Sequence, residues 1–183
     1  PTPIRANVNG RETKFLGPVG SGVGGSSTFY AATLERPEPH DLDETATHPH
    51  PTGGWPVRFA DFLPWLEHAE DMYHVCGEAD PLSSHSVKSL RPAPPMQSGD
   101  KAMMQTMTDR GLHPYRLHSA IRYVDGCAEC LGRKCPRACK MDGRSAGVEP
   151  AIASGNATLL DNCNVTQLHG DADTITHVSA VHN

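Results

Sequence analysis

The stretch "GCAECLGRKCPRACK", residues 126–140, places four cysteines within thirteen positions at C-x2-C-x4-C-x3-C. Thiols this dense force the backbone into a tight irregular loop, around which the rest of the chain must be built. Three occupants compete for it. Disulfides are the poorest reading, because loops this short strain the bond and pairing crowded thiols gains little chain entropy. Zinc is open: C-x2-C-x4 begins a zinc knuckle, and Arg133, Lys134, Arg137 and Lys140 would favour single-stranded nucleic acid. Against a knuckle, the third ligand is not His, the last spacing is one short, and no aromatic lies inside to stack a base. An iron–sulfur cluster fits the compactness best, since one short loop can supply its thiolates and basic neighbours would offset their charge. Cys127, Cys130, Cys135 and Cys139 are therefore the candidate metal ligands, for an iron–sulfur cluster or alternatively zinc.

Composition narrows the setting. Hydrophobic residues make up 37% and aromatics 5% of 183 residues, with 16 prolines and 17 glycines. That is lean for a self-contained globule and suits a chain that leans on other protein. A formal charge of −5 offers no global attraction to nucleic acid or to an anionic membrane. No apolar run reaches the length of a membrane span, and no signal peptide opens the chain. Bunched cysteines are unlike a secreted disulfide framework, which favours a reducing, cytoplasmic compartment.

Along the chain, a helix is expected with Asp61 as cap and Pro64 in its first turn. Phe62, Leu66, Ala69, Tyr73 and Cys76 would share one face, and Gly77 would end it. A second helix is expected over residues 100–110, with Met103, Met104 and Met107 inward. Residues 113–124 should be extended, "SAGVEPAIASG" a short helix, and the tail from Ala157 three strands, with "GDAD" the last turn. None of the eleven histidines pairs with a Ser, Cys or carboxylate at a catalytic spacing. Cys76 and Cys163 read as buried hydrophobes.

Gly20, Gly22 and Gly25 match G-x-G-x-x-G, with Asp41 or Asp43 about twenty residues on. A dinucleotide fold is disfavoured because Gly17-Pro18 interrupts the strand that must enter the first glycine, and no strand ends at the acid. The chemistry of "GSGVGGSS" remains. Missing side chains at Gly22, Gly24 and Gly25 admit a flat or phosphorylated ligand, to which backbone N–H groups and the Ser26 and Ser27 hydroxyls could donate. A tight turn with a serine cap explains the same residues.

"GVGGSSTFYAATLERPEPHDLD", followed by "GGWPVRFADFLPWLEHAEDMYHVCGEADPL", resembles the first signature region of the glucose–methanol–choline (GMC) oxidoreductases. In that family a V/L-G-G-S-[ST] loop meets FAD, and W-P leads into a helix of the LxPYYxxAE kind. "CKMDGRSAGVEPAIASGNATLLDNCNVTQL" resembles the family's later helix and its adenine-facing strand. By position, the resemblance implies that Gly24, Gly25, Ser26 and Ser27 line flavin and pyrophosphate. Tyr30, Ala31 and Ala32 occupy the places of N-G-G near the flavin ring, and Val165 would touch adenine through its backbone. Tyr30 departs from the usual Asn or His, and Ser21 from the usual basic or Asn residue.

The fold implied is α+β: part of a Rossmann-like FAD-binding domain with cap helices and a C-terminal three-strand β meander. The family's opening GxGxxG unit and its C-terminal catalytic His find no match, so the chain is expected to be incomplete as a fold, inactive alone and without a catalytic residue. Its expected segments are residues 1–80 (FAD-contacting loop and first cap helix), 81–125 (connection), 126–140 (Cys-rich loop) and 141–183 (helix and meander). The implied activity is oxidation of a CH–OH group, of an alcohol or sugar, by hydride transfer to FAD. Some relatives hold an iron–sulfur cluster in a Cys-rich loop at this point, where it takes electrons from the flavin. Partners would be the small substrate and the remaining parts of the flavoenzyme. The competing reading is a zinc-knuckle-like module on single-stranded nucleic acid, or a non-catalytic structural fragment.

Overall fold

Asn9 and Gly10 both take left-handed backbone, φ 51° and 80°. That is the geometry of a two-residue hairpin turn, and Asn-Gly adopts it at low cost. It joins β1 (Ile4–Val8) to β2 (Arg11–Phe15) as an antiparallel pair in the register Ile4↔Phe15 to Val8↔Arg11. The computed structural model describes residues 3–17 and 19–182 and divides the chain into two units, Pro1–Val148 and Glu149–Asn183. Pro18, on which the argument against a dinucleotide fold turned, lies outside the described residues.

In the first unit the core forms around residues 118–122, which run extended as expected. Ala120 N–H donates to the Ala32 carbonyl at 2.8 Å, and Met141 N–H donates to the Ala120 carbonyl at 2.8 Å. On the other side Ser119 and Cys76 exchange backbone hydrogen bonds at 3.0 and 2.8 Å. Cys76 opens β3 (Cys76–Gly77), which pairs in parallel with β4 (Arg91–Pro92). Ala120, Met141 and Ala146 are buried together, with Tyr30, Leu34 and Tyr73 packed against them. Four chain segments, around residues 30–34, 73, 120 and 141–146, thus meet at one small apolar centre.

The helices sit around it. Pro39 starts α1 (Pro39–Leu42), where the missing N–H costs nothing, and the Asp41 carboxylate accepts the Glu38 N–H at 2.9 Å. α2 spans Phe59–Met72, starting before the expected Asp61 cap; the Asp43 carboxylate accepts the Phe59 N–H at 3.0 Å instead. Pro64 therefore lies inside the helix, and Cys76 lies on β3 rather than on the helix face. The helix is pinned by Glu70, whose buried carboxylate receives the Arg36 guanidinium at 2.9 and 2.6 Å and also the Ser89 hydroxyl. α3 (Ser98–Asp109) forms where expected, but it buries no residue fully: Met104 is half-buried, while Met103, 54% exposed, and Met107 face outward. Periodicity locates an apolar stripe without saying what covers it.

The second unit holds α4 (Glu149–Ala153) and the hairpin of β5 (Cys163–Gly170) with β6 (Ile175–His182). Two strands, not three, follow the helix among the described residues: 157–161 run without a partner, and the "GDAD" turn joins the pair. Cys163 is half-buried on β5, whereas Cys76 is buried as expected. Among the described residues no helix is long and apolar enough to cross a membrane.

Candidate functional site

The glycine stretch folds into a loop that closes on itself. Gly20 N–H donates to the Ser26 hydroxyl at 2.9 Å, and a Cβ at Gly20 would meet the Gly25 backbone at 2.3 Å, so only glycine fits. Gly24 is left-handed at φ 88° and lies so near residue 144 that a Cβ would stand 2.8 Å from the Arg144 nitrogen. Residues Gly25–Phe29 then make a short 3-10 turn. The Ser27 hydroxyl donates to the Gly24 carbonyl at 2.6 Å and accepts the Gly143 N–H at 2.9 Å. Gly22 differs from the rest: a Cβ there would meet nothing within 4 Å. The loop's outer backbone is open, and its inner backbone is locked.

A cavity of about 540 Å³ opens over this loop. Gly20, Gly22, Thr28, Phe29, Lys134 and Arg144 are among its walls. Glycine backbone and two cationic side chains in one lining fit an extended, anionic, partly aromatic ligand. FAD has that chemistry.

Lys134 belongs to the Cys-rich loop, so the two sequence motifs meet in one place. The joint is Lys140, which is 1% exposed. Its ammonium donates to the carbonyls of Tyr30 at 2.9 Å, Cys130 at 3.1 Å and Arg133 at 2.6 Å, and lies 5.6 Å from the Tyr30 ring centre. Burial holds its pKa below the ordinary lysine value. Gly132 N–H also reaches the Tyr30 carbonyl, at 3.3 Å, and the Tyr30 hydroxyl donates to the Met141 carbonyl at 2.5 Å. Burial, with Tyr73 and Asp142 nearby, pushes the Tyr30 phenol upward, so it stays neutral. Arg137 Nη1 donates to the carbonyls of Asp125 and Gly126 at 2.7 and 3.1 Å. Arg137 and Lys140 thus bind backbone, where the sequence suggested charges offsetting thiolates.

Three of the four sulfurs are packed together. Cys139 Sγ lies 3.3 Å from Cys135 Sγ and 3.6 Å from Cys127 Sγ; Cys130 Sγ makes no such contact among the described residues. Backbone N–H groups of Lys140, Arg137 and Cys139, with the Cys139 thiol, outweigh burial and lower the Cys135 pKa. Burial and the two neighbouring sulfurs raise that of Cys139. A cubane needs irons and sulfides between its thiolates, and 3.3 Å leaves no room for them. Four thiolates around zinc stand about 3.8 Å apart for Zn–S near 2.3 Å, which would need Cys130 to turn inward. Among the described residues no group of three or more His, Cys, Asp or Glu side chains is arranged to hold a metal ion. All six cysteines are free thiols.

Of the residues inferred from sequence, Gly24, Gly25, Ser26, Ser27 and Tyr30 come together at the loop. Ala31 is exposed beside it, and Ala32 is fully buried in left-handed backbone, φ 61°. Val165 belongs to the second unit, on β5, paired with Ala180. The sequence argument missed Lys134 and Arg144 as cavity walls, and Asp142 beneath them. Asp142 is fully buried; Oδ1 accepts N–H from Arg144 at 3.0 Å and Ser145 at 2.9 Å, while Oδ2 has no hydrogen-bond partner. "DGRS" carried the signal for Asp142, an acid at the start of a helical turn. Buried His118 is structural, held between the Glu35 carboxylate at 3.0 Å and the Glu78 carbonyl at 2.8 Å.

The chain is α+β, and its glycine loop borders an open cavity walled in part by Lys134 and Arg144. The family model for GMC oxidoreductase matches residues 4–183, and the chain belongs to the GMC oxidoreductase family, whose members are FAD-dependent oxidoreductases. No curated protein matches it.

Proposed function

We propose that this chain forms the FAD-contacting part of an oxidoreductase that oxidises a CH–OH group of a small alcohol or sugar. The observation that carries the reading is the cavity over Gly20 and Gly22, walled by Lys134 and Arg144, in a chain of this family. FAD, when bound, supplies the hydride acceptor. The chain's own residues supply the bed: Gly22 presents backbone without a side chain, and Ser27 locks the loop onto Gly143. Gly24, Gly25 and Ser26 set its curvature, Tyr30 and Ala31 follow its Gly25–Phe29 turn and are assigned to the flavin, like Val165 to adenine, by family position.

The thiols do not fit an iron–sulfur cluster as packed, and no electron is routed through them. Iron and zinc content of the purified protein, with its visible spectrum, distinguishes a metal-loaded loop from a thiol loop. The unpaired thiols support a reducing, cytoplasmic setting.

The test of the activity is anaerobic mixing of the FAD-loaded full-length protein with a panel of primary alcohols and aldoses. Bleaching of the oxidised flavin by at least one of them is expected. A flavin that dithionite bleaches but no alcohol or sugar does would remove the CH–OH assignment.

A further inference from the structure

We propose that Lys134, carried by the Cys-rich loop, is a cofactor-binding residue: with Arg144 it neutralises the diphosphate of FAD above the glycine loop. The proposal rests on the FAD reading and goes beyond it by giving the Cys-rich loop a task, that of a scaffold for one cation. Residue 134 is fixed from both sides. The carbonyl before it, of Arg133, is held by Lys140 at 2.6 Å, and the carbonyl after it, of Cys135, receives the Arg144 guanidinium at 3.3 Å. Lys140 also grips the Tyr30 carbonyl, so the same ammonium ties the lysine's backbone to the end of the glycine loop.

Packed sulfurs at Cys127, Cys135 and Cys139 close the loop behind these anchors. Lys134 itself is exposed and lines the cavity together with Arg144, Gly20 and Gly22. Two cations in one lining with bare glycine backbone match a doubly charged diphosphate: the glycines admit its oxygens closely, and each cation takes one charge. The isoalloxazine, neutral when oxidised, would gain little from such a pair.

The experiment measures FAD affinity of the full-length protein by flavin fluorescence, for the parent, Lys134→Met and Lys134→Arg. Because Lys134 is exposed, the variants should fold, which circular dichroism checks. Lys134→Met should weaken FAD about tenfold, the loss of one charge-assisted contact, and Lys134→Arg should restore most of it. ADP, which carries the diphosphate without the isoalloxazine, should weaken as a competitor by the same factor. The difference should shrink with added salt. Unchanged FAD affinity in Lys134→Met, with a parent that binds tightly, would overturn this proposal alone. A shifted flavin midpoint potential with unchanged ADP competition would move the cation to the flavin ring and also overturn it. A parent that binds no FAD would remove the underlying reading as well.

Discussion

Replacing Lys140 by Met removes the joint between the two loops while keeping most of the side chain's volume. In the parent the ammonium satisfies three carbonyls, of Tyr30, Cys130 and Arg133, at 2.6 to 3.1 Å. Charge-assisted hydrogen bonds contribute about 1.5–3 kcal/mol each, so the gross loss exceeds 4 kcal/mol, at the order-of-magnitude level. Methionine returns part of that, because a lysine that is 1% exposed carries a desolvation cost that methionine does not. A net destabilisation of about 3 kcal/mol remains, or roughly 6–12 °C in Tm for a chain of this size. Thermal unfolding gives the number, and timed alkylation gives the location: Cys130 and Cys135 should react faster in Lys140→Met than in the parent. The pH profile adds a sign. Burial lowers the folded-state pKa of Lys140, so the unfolded chain binds more protons between that lowered value and the ordinary one near 10.4. Across that window the parent should gain stability relative to Lys140→Met as pH rises. A Lys140→Met protein that melts with the parent and keeps its thiols equally protected would refute the claim that this ammonium holds the loops together.

Two further substitutions test the frame. Arg36→Met strands the Glu70 carboxylate, whose side chain is 9% exposed, and should cost about 3–5 kcal/mol in urea unfolding. Adding Glu70→Leu should recover much of it, and an additive double variant would argue against the pair. Ala32→Val puts a β-branched side chain at φ 61° in a fully buried position. Left-handed strain and overpacking together predict a loss of about 2–4 kcal/mol, and a neutral result by the same assay would contradict the assigned backbone.

What the sequence disclosed was local. "GVGGSS" and the W-P helix show in short windows because glycine and proline report backbone geometry directly. The Asn9-Gly10 hairpin was equally local but passed unread: Ile4-Arg5-Ala6-Asn7-Val8 alternates apolar and polar residues into an Asn-Gly turn, while its partner strand is exposed throughout and reads as merely polar. The start of α2 was misplaced because its cap, Asp43, comes from sixteen residues upstream. The methionine stripe of α3 was found at the right spacing and assigned the wrong environment, because exposure depends on what lies opposite. Lys140 could not be read as buried: lysine is among the residues least often interior, and its three carbonyls come from two separate loops. Lys134 and Arg144 share a wall only after those loops close. The tail lost its third strand because residues 157–161, Ala-Thr-Leu-Leu-Asp, hold one strand former, Thr158, and have no neighbouring strand to pair with.

Gly22→Val offers the most direct test that the glycine loop is a flavin bed and not merely a turn. Its Cβ position meets nothing within 4 Å, so the substitution should leave the fold intact while filling the space a cofactor must enter. The measurement is the flavin-to-protein ratio after gel filtration, for parent and variant matched by circular dichroism and Tm. The account predicts FAD retained by the parent and lost from Gly22→Val at unchanged Tm. Equal flavin content in both proteins would contradict it.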